Sequence, residues 1–232
     1  MAERHPDRPV FHQNRYAAEL DEFVTEGISW LDIGAGHKMH DGWLGASSAE
    51  LATRPSYFAG CDLGEDVLEN PYLHDARVAD AAALPWDAET FDLVSANMVA
   101  EHLEDPEGVL REIHRVLRPG GRCLFVTPNL RHPVVRASTI VPKGPRRWFR
   151  VLVDGAPDED VFPTYYRLNT TDDVRAFAER AGLQVEQLEV FMSEPPILPS
   201  LFGRMETGVV SLGHRLGARE IASNLMVRLR KP

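Results

Sequence analysis

The chain has 232 residues, 44% of them hydrophobic and 26% charged, the proportions of a globular protein able to bury a core. Its formal net charge of −10 argues against nucleic acid or an anionic membrane as a partner unless a local basic patch overrides it. Cys61 and Cys123, each inside an apolar run, give neither a disulfide framework nor metal-ligand spacing, so reduced core thiols of a cytoplasmic protein are expected and no metal site is.

The N-terminal "MAERHPDRPVF" is polar and has no apolar signal region. No window approaches the ~18 apolar residues a membrane span needs. In chain order, a helix is expected from Val10 to Val24, with Phe11, Tyr16, Leu20 and Phe23 near one face and Gly27 beyond its end. "ISWLDI" (Ile28–Ile33) reads as a buried strand, and a short helix is expected at Ser47–Thr53. "YFAGCDL" is a second strand, ending near Asp62. "ARVAD" is a third, ending at Asp80, and "FDLVSAN" (Phe91–Asn97) a fourth.

Val109, Leu110, Ile113, Val116 and Leu117 then form the stripe of a helix laid on a sheet. "RPGG" is expected to stop that helix and turn the chain into "RCLFVTP", a fifth strand. Further on, "TTDDVRAFAERAG" reads as a helix with Thr170 and Asp173 as a capping box and Gly182 as its stop. "LQVEQLEVF" alternates as a strand, residues 199–218 carry a helical apolar stripe, and "NLMVRLR" is a final strand. Apolar strands alternating with helices point to a largely parallel sheet covered on both faces, with the last two strands and a helix at one edge.

Such sheets bind ligands beyond the carboxyl ends of their strands. The stretch "LDIGAGHKMH" (Leu31–His40) places Gly34 and Gly36 there, suited to a tight turn and close backbone approach. A dinucleotide fingerprint would want a glycine where Met39 stands, and Asp32 would repel a pyrophosphate. A nicotinamide-dependent oxidoreductase is therefore disfavoured. Asp62 is placed to accept hydrogen bonds from ribose hydroxyls, and Asp80, followed by Ala81, to receive a base amino group. A ligand with an adenosine and a cationic head fits all three carboxylates.

These pieces, with "GCDL", "VADAAALPWDAETFDLVSAN", "EHLEDPEGVLREIHRVLRPGG" and "LFVTPN", resemble the class I S-adenosylmethionine-dependent methyltransferases from about Trp30 to Pro128. "YYRLNTTDDVRAFAERAGLQVE" is similar to the tail of small-molecule members. The resemblance implies a Rossmann-like α/β fold: a seven-stranded sheet of order 3-2-1-4-5-7-6 with strand 7 antiparallel and helices on both faces. It implies S-adenosylmethionine as cofactor. Asp32, Gly34, Ala35, Gly36 and His37 would line its methionine part, Asp62 and Leu63 its ribose side, Asp80 and Ala81 its adenine, and Asn97 and Met98 the region beside the sulfonium. Lys38 stands where many members have a third glycine. His37 faces either the cofactor's carboxylate or the acceptor, and both stay open.

His102, just past the fourth strand, is the leading candidate for a general base, ahead of His37, His132, Tyr165 and Tyr166. Arg15 and Tyr16 either close over the cofactor or serve as surface and core residues, the second being favoured. The whole chain, 1–232, reads as one methyltransferase domain, with residues 129–169 as a substrate cap inserted in it. From Leu130 to Arg150 that cap carries Arg131, Arg136, Lys143, Arg146, Arg147 and Arg150 and no acid, interleaved with apolar residues. Either these charges pair with the acidic stretch Asp154–Asp160 or lie in water, or the segment covers the pocket of a small-molecule acceptor and attracts an anionic one, and peripheral membrane contact stays open. "NMVA" (Asn97–Ala100) stands where a base-amino methyltransferase would show an "NPPY"-type motif, so no nucleic acid is expected. The expected activity is in-line methyl transfer to a small-molecule oxygen or nitrogen. Its rivals are methylation of a sugar, lipid or glycolipid intermediate of a cell-surface polymer, and a non-catalytic cofactor-binding member. A monomer or homodimer is compatible with the sequence.

Overall fold

The computed structural model describes residues 12–37, 48–140, 162–192 and 220–232, with isolated positions between 208 and 217. The elements run α1 (His12–Phe23), β1 (Ser29–Ile33), α2 (Ser48–Ala52), β2 (Tyr57–Asp62), β3 (Asp75–Val78), β4 (Phe91–Asn97), α3 (Pro106–Val116), β5 (Leu117–Pro128), α4 (Pro133–Ile140), α5 (Thr171–Arg180), β6 (Gln184–Phe191) and β7 (Asn224–Arg230). Short 3-10 turns lie at Glu65–Glu69 and Ala100–His102. The seven strands form one sheet in the order β3-β2-β1-β4-β5-β7-β6. β7 runs antiparallel between β5 and β6, and the other neighbours pair in parallel. Fold class and strand order are as the resemblance implied.

Side-chain alternation divides the core into two. On one face Leu31, Ile33, Cys61, Val94, Phe125 and Val227 pack under the stripe Val109, Leu110, Ile113 and Val116 of α3 and Val174 and Ala178 of α5. On the other, Trp30, Phe58, Leu93, Leu124 and Met226 pack under Tyr16, Leu20 and Val24. Trp30 and Phe58 stack with ring centroids 3.9 Å apart. Both faces of β1 are therefore apolar, which is why a parallel central strand reads as a nearly unbroken hydrophobic run. Burial pushes the thiols of Cys61 and Cys123 up to about 12, so both are inert core groups.

Two boundaries differ from the expectation. α3 ends at Val116, and Leu117–Pro128 is a continuous strand, so "RPGG" lies inside β5. The residue before a proline is pushed out of the helical region, and Arg118 precedes Pro119; the chain is already extended at Leu117 (φ −70°, ψ 140°). The glycines then pair with the chain after β7, Gly120 N–H donating to Lys231 O and Lys231 N–H to Gly121 O, each at 2.9 Å. β3 ends at Val78 rather than Asp80, because the Asp80 carboxylate accepts the Ala82 N–H at 2.9 Å and closes a turn.

Thr170 caps α5, its hydroxyl accepting the Asp173 N–H at 3.1 Å, and Gly182 at φ +78° ends it. Of the expected cap, α4 is described and residues 141–161 lie outside the described residues. The helix expected at 199–218 also lies outside them apart from isolated helical positions. Among the described residues no helix is long and apolar enough to cross a membrane. Thr170→Ala leaves the Asp173 amide unsatisfied and is expected to cost about 1 kcal/mol of unfolding free energy, seen as a lowered urea midpoint that Thr170→Ser largely restores.

Candidate active site

The parallel strands deliver the sequence-predicted residues to one end of the sheet. Gly34–His37 follow β1, Asp62 ends β2 and Leu63 follows it, Asp80 and Ala81 follow β3, and Asn97 ends β4 with Met98 next. Strand order reverses between β1 and β4, where a crevice forms in such sheets. Gly34 takes φ +74°, and a Cβ built on it would stand 2.4 Å from Val99 Cγ2. Gly36 takes φ +50° and faces open space. The first glycine is thus required by backbone conformation and by contact with the turn after β4; the second leaves room for a ligand.

Asp62 holds this loop. Its Oδ2 accepts the Gly36 N–H at 3.2 Å and its Oδ1 the Gly64 N–H at 3.1 Å. Asn70, buried, donates from Nδ2 to the carbonyls of Ala35 (3.3 Å) and Gly36 (3.0 Å). The Gly34 and Ala35 amides donate to Cys61 O at 2.8 and 3.1 Å. His37 Nδ1 lies 3.5 Å from Asp66 Oδ2, in the turn after β2. Lys38 lies outside the described residues. Leu63 beside Asp62 is 60% exposed, an apolar surface next to the end of β2.

Asp32 is buried on the α1 face of the sheet. Its Oδ1 accepts the Ser95 hydroxyl at 2.5 Å, and Ser95 Oγ accepts the Trp30 Nε1–H at 2.7 Å. Asp32 and Ser95 are direct neighbours in the β1–β4 register. Desolvation raises the Asp32 carboxyl from 3.8 to about 7, opposed by the Ser95 hydrogen bond and reinforced by the charge of Asp62. A cation near this carboxyl would relieve that burden, so the donor set fits the positive head of S-adenosylmethionine, as the open space at Gly36 and the acceptor oxygens of Asp62 fit its backbone and hydroxyl groups. Tyr16 is a core residue, and Arg15 pairs with Glu189 and lies over Phe191, so the pair does not close the crevice.

His102 sits on the 3-10 turn after β4. Its Nδ1 is 3.0 Å from Pro163 O. A carbonyl only accepts, so Nδ1 donates this bond, and in the neutral tautomer compatible with it Nε2 is the nitrogen that can accept a proton. Phe162 stands edge-on to the ring at 6.3 Å. Of the weaker base candidates, His132 is buried, with burial pushing its imidazole down to about 4. The Tyr165 hydroxyl lies 3.4 Å from Glu104 Oε2, and Tyr166 adopts φ +53°. Asn70, Ser95 and the buried trio Glu101, Thr127 and Asn169 went unnoticed in the sequence. Of these only Ser95 had a signal, in the alternation that sets it on the same face as Leu93.

A family profile described as a methyltransferase domain matches residues 31–125. The ubiquinone biosynthesis O-methyltransferase of Pseudomonas putida (strain F1) is 31% identical over 179 residues, spanning 73% of this chain and 70% of that protein. The chain belongs to the class I S-adenosylmethionine-dependent methyltransferases. The corresponding protein of Pseudomonas syringae pv. tomato is 30% identical over 175 residues, spanning 69% of this chain and 72% of that one. An S-adenosylmethionine-dependent methyltransferase from Mesorhizobium loti superposes with a TM-score of 0.59 at 19% identity, over 92% of this chain and 96% of that one. The [4+2]-cyclase SpnF superposes equally well, TM-score 0.59 at 16% identity, over 99% of this chain and 86% of that one. The fold alone therefore does not select the reaction.

The raised Asp32 carboxyl has a consequence for this methyltransferase. Between about pH 4 and pH 7 the folded chain holds a proton there that the unfolded chain has released, so stability from this group is lost as pH rises through about 7. Asp32→Asn has no such proton. Urea midpoints measured from pH 4.5 to 8 should fall more steeply for the wild type than for Asp32→Asn; parallel slopes would refute the assignment.

Proposed function

We propose that the chain transfers the methyl group of S-adenosylmethionine to an oxygen of a small-molecule acceptor, with His102 as the general base. The observation that carries this reading is the orientation of His102. With Nδ1 tied to Pro163 O, its Nε2 is the basic atom, on the turn directly after Asn97 and Met98. A hydroxyl must lose a proton as it is methylated, and a positioned imidazole is suited to take it. Relatives named O-methyltransferases favour oxygen over nitrogen.

When bound, S-adenosylmethionine supplies a methyl group already activated by its sulfonium. In this reading Asp32, Gly34, Ala35, Gly36 and His37 line the methionine side, Asp62 and Leu63 the ribose side, with Asp62 on the hydroxyls, and Asp80 and Ala81 border the adenine. Asn97 and Met98 lie beside the reacting centre. Met98 is held at φ +56° with its N–H on Val126 O at 2.9 Å, so the turn that presents this wall is fixed by the neighbouring strand. The chain's remaining work is alignment: holding the acceptor oxygen in line at ~3–3.5 Å from the methyl carbon.

Phe162 and Tyr165, both exposed beside His102, suit an acceptor with an apolar or aromatic body. An anionic group on the acceptor is a finer feature of the same proposal. It draws on the basic residues after Leu130, of which Arg131 is already engaged by Asp172 and Glu220.

Thermal unfolding should show S-adenosylmethionine and its demethylated product stabilising the protein, by about 2.7 kcal/mol at ~100 times Kd, with NAD having no effect. With a panel of phenols, catechols and amines, His102→Asn should lower kcat for hydroxyl acceptors by about 10²–10⁴ and leave cofactor Kd unchanged. Stabilisation by NAD alone would overturn the cofactor reading, and an unchanged kcat in His102→Asn would overturn the base.

A further inference from the structure

The turn carrying His102 also carries a buried carboxylate. Glu101 is 5% exposed. Its Oε2 accepts the Thr127 hydroxyl at 2.9 Å, at the end of β5. Thr127 Oγ1 in turn accepts the Asn169 Nδ2–H at 2.7 Å, and that amide nitrogen also donates to Pro128 O at 2.9 Å. The Glu101 carbonyl accepts two more hydrogen bonds, from the Tyr165 N–H at 2.8 Å and the Tyr166 N–H at 3.1 Å. The neighbouring His102 bonds Pro163 O, and Arg167 donates to Glu104 O. Residues 163–169 are thus stitched to the chain that leaves β4, by main chain and side chain of the same glutamate. Thr127 and Asn169 are fully buried, so none of this side-chain network exchanges with water freely.

The same turn meets the cofactor loop from its other side. Val99 occupies the space a side chain at position 34 would need, which makes Gly34 and Val99 close neighbours. His102 N–H donates to Val99 O at 2.9 Å. A contiguous path of packed and hydrogen-bonded groups therefore leads from Gly34 through Val99 and the Ala100–His102 turn to Tyr165, Tyr166 and Asn169.

We propose that Glu101 is a positioning residue that couples the two halves of the site: by holding residues 163–169 on the turn after β4, it makes the acceptor-side wall, Phe162 and Tyr165 included, respond to occupation of the loop at Gly34–Gly36. This inference rests on the reading of that loop as the S-adenosylmethionine site. A shared polar network makes the coupling stiff. Tyr166, at φ +53°, holds a conformation that needs such external support, since a non-glycine residue there is strained. Glu101 acts through these contacts and not on the acceptor itself.

Amide hydrogen exchange on the full chain tests this without knowledge of the acceptor. In the wild type, saturating S-adenosylmethionine should slow exchange in the peptide covering 163–169 by at least threefold. Glu101→Ala should raise exchange of that peptide about tenfold without cofactor and abolish the cofactor-dependent slowing. Its cofactor affinity should stay within about threefold of the wild type. Glu101→Gln, which keeps an oxygen to accept the Thr127 hydroxyl, should restore most of the protection; a merely destabilised protein would instead show raised exchange in β1 and β4 as well. Unchanged exchange at 163–169 in Glu101→Ala, or cofactor-dependent slowing that persists in it, overturns the inference. So does Glu101→Gln behaving as badly as Glu101→Ala, since the charge and not the hydrogen bond would then be the requirement. If wild-type stability does not respond to S-adenosylmethionine at all, the functional reading fails, and exchange at 163–169 in the cofactor-free variants still decides whether Glu101 is the latch.

Discussion

The carboxylate of Asp62 accepts one backbone N–H from the loop after β1 and another from the loop after β2, at 3.2 and 3.1 Å. The loops that follow β1 and β2 are arranged around that grip. A charged acceptor shared by two amides makes each hydrogen bond stronger than a neutral pair, and it sets the separation of two loops that parallel pairing alone leaves free beyond the last ladder bond. Asn70 completes the frame from the other side by donating to the carbonyls of Ala35 and Gly36. A loop whose amides and carbonyls are both engaged keeps its left-handed glycines in place before any ligand arrives, and binding then costs less ordering entropy.

Around this frame the sheet carries two buried polar systems on its opposite faces. Trp30, Ser95 and Asp32 form a hydrogen-bonded line under α1, with the carboxyl raised by burial. Glu101, Thr127 and Asn169 form another at the ends of β4 and β5. Apolar residues would fill either volume with less desolvation cost. Polar groups there tie the strand ends to the loops that follow them. The non-glycine residues Met98 and Tyr166 stand at φ +56° and +53°, just past the end of β4 and in the segment that leads into α5. Strain placed at the edges of a reaction site and overruled by its surroundings is a recurrent property of sites that must present side chains in one orientation.

Much of this was legible in the sequence, for physical reasons that also mark where legibility ended. β1, β4 and β7 announce themselves because strands covered on both faces need apolar side chains at nearly every position. The stripe of α3 and the threonine cap of α5 are local signals within a few residues of each other. The strand order was not in any such pattern; it came with the resemblance carried by "LDIGAG", "GCDL" and "RPGG". Boundaries slipped where a distant partner decides: "RPGG" became strand because the chain after β7 supplies its hydrogen bonds, and β3 stopped short of Asp80 because that side chain turns back on its own backbone. Acids at strand ends could be read from position alone. Ser95 showed only its face, by alternation with Leu93, and Asn70, Glu101, Thr127 and Asn169 showed nothing, because what each does depends on a partner tens of residues away.

Asp62 is the residue on which the proposed cofactor site depends most. Asparagine at that position keeps the shape but offers one acceptor oxygen where two are used, and it removes the charge. Titration calorimetry of S-adenosylmethionine against wild type and Asp62→Asn is the most direct measurement. Loss of a charge-assisted hydrogen bond of about 1.5–3 kcal/mol predicts affinity lower by roughly 10- to 150-fold, with an unfolding transition that remains cooperative. Equal affinity in the two proteins would contradict the assignment of this carboxylate as the clamp of the cofactor site.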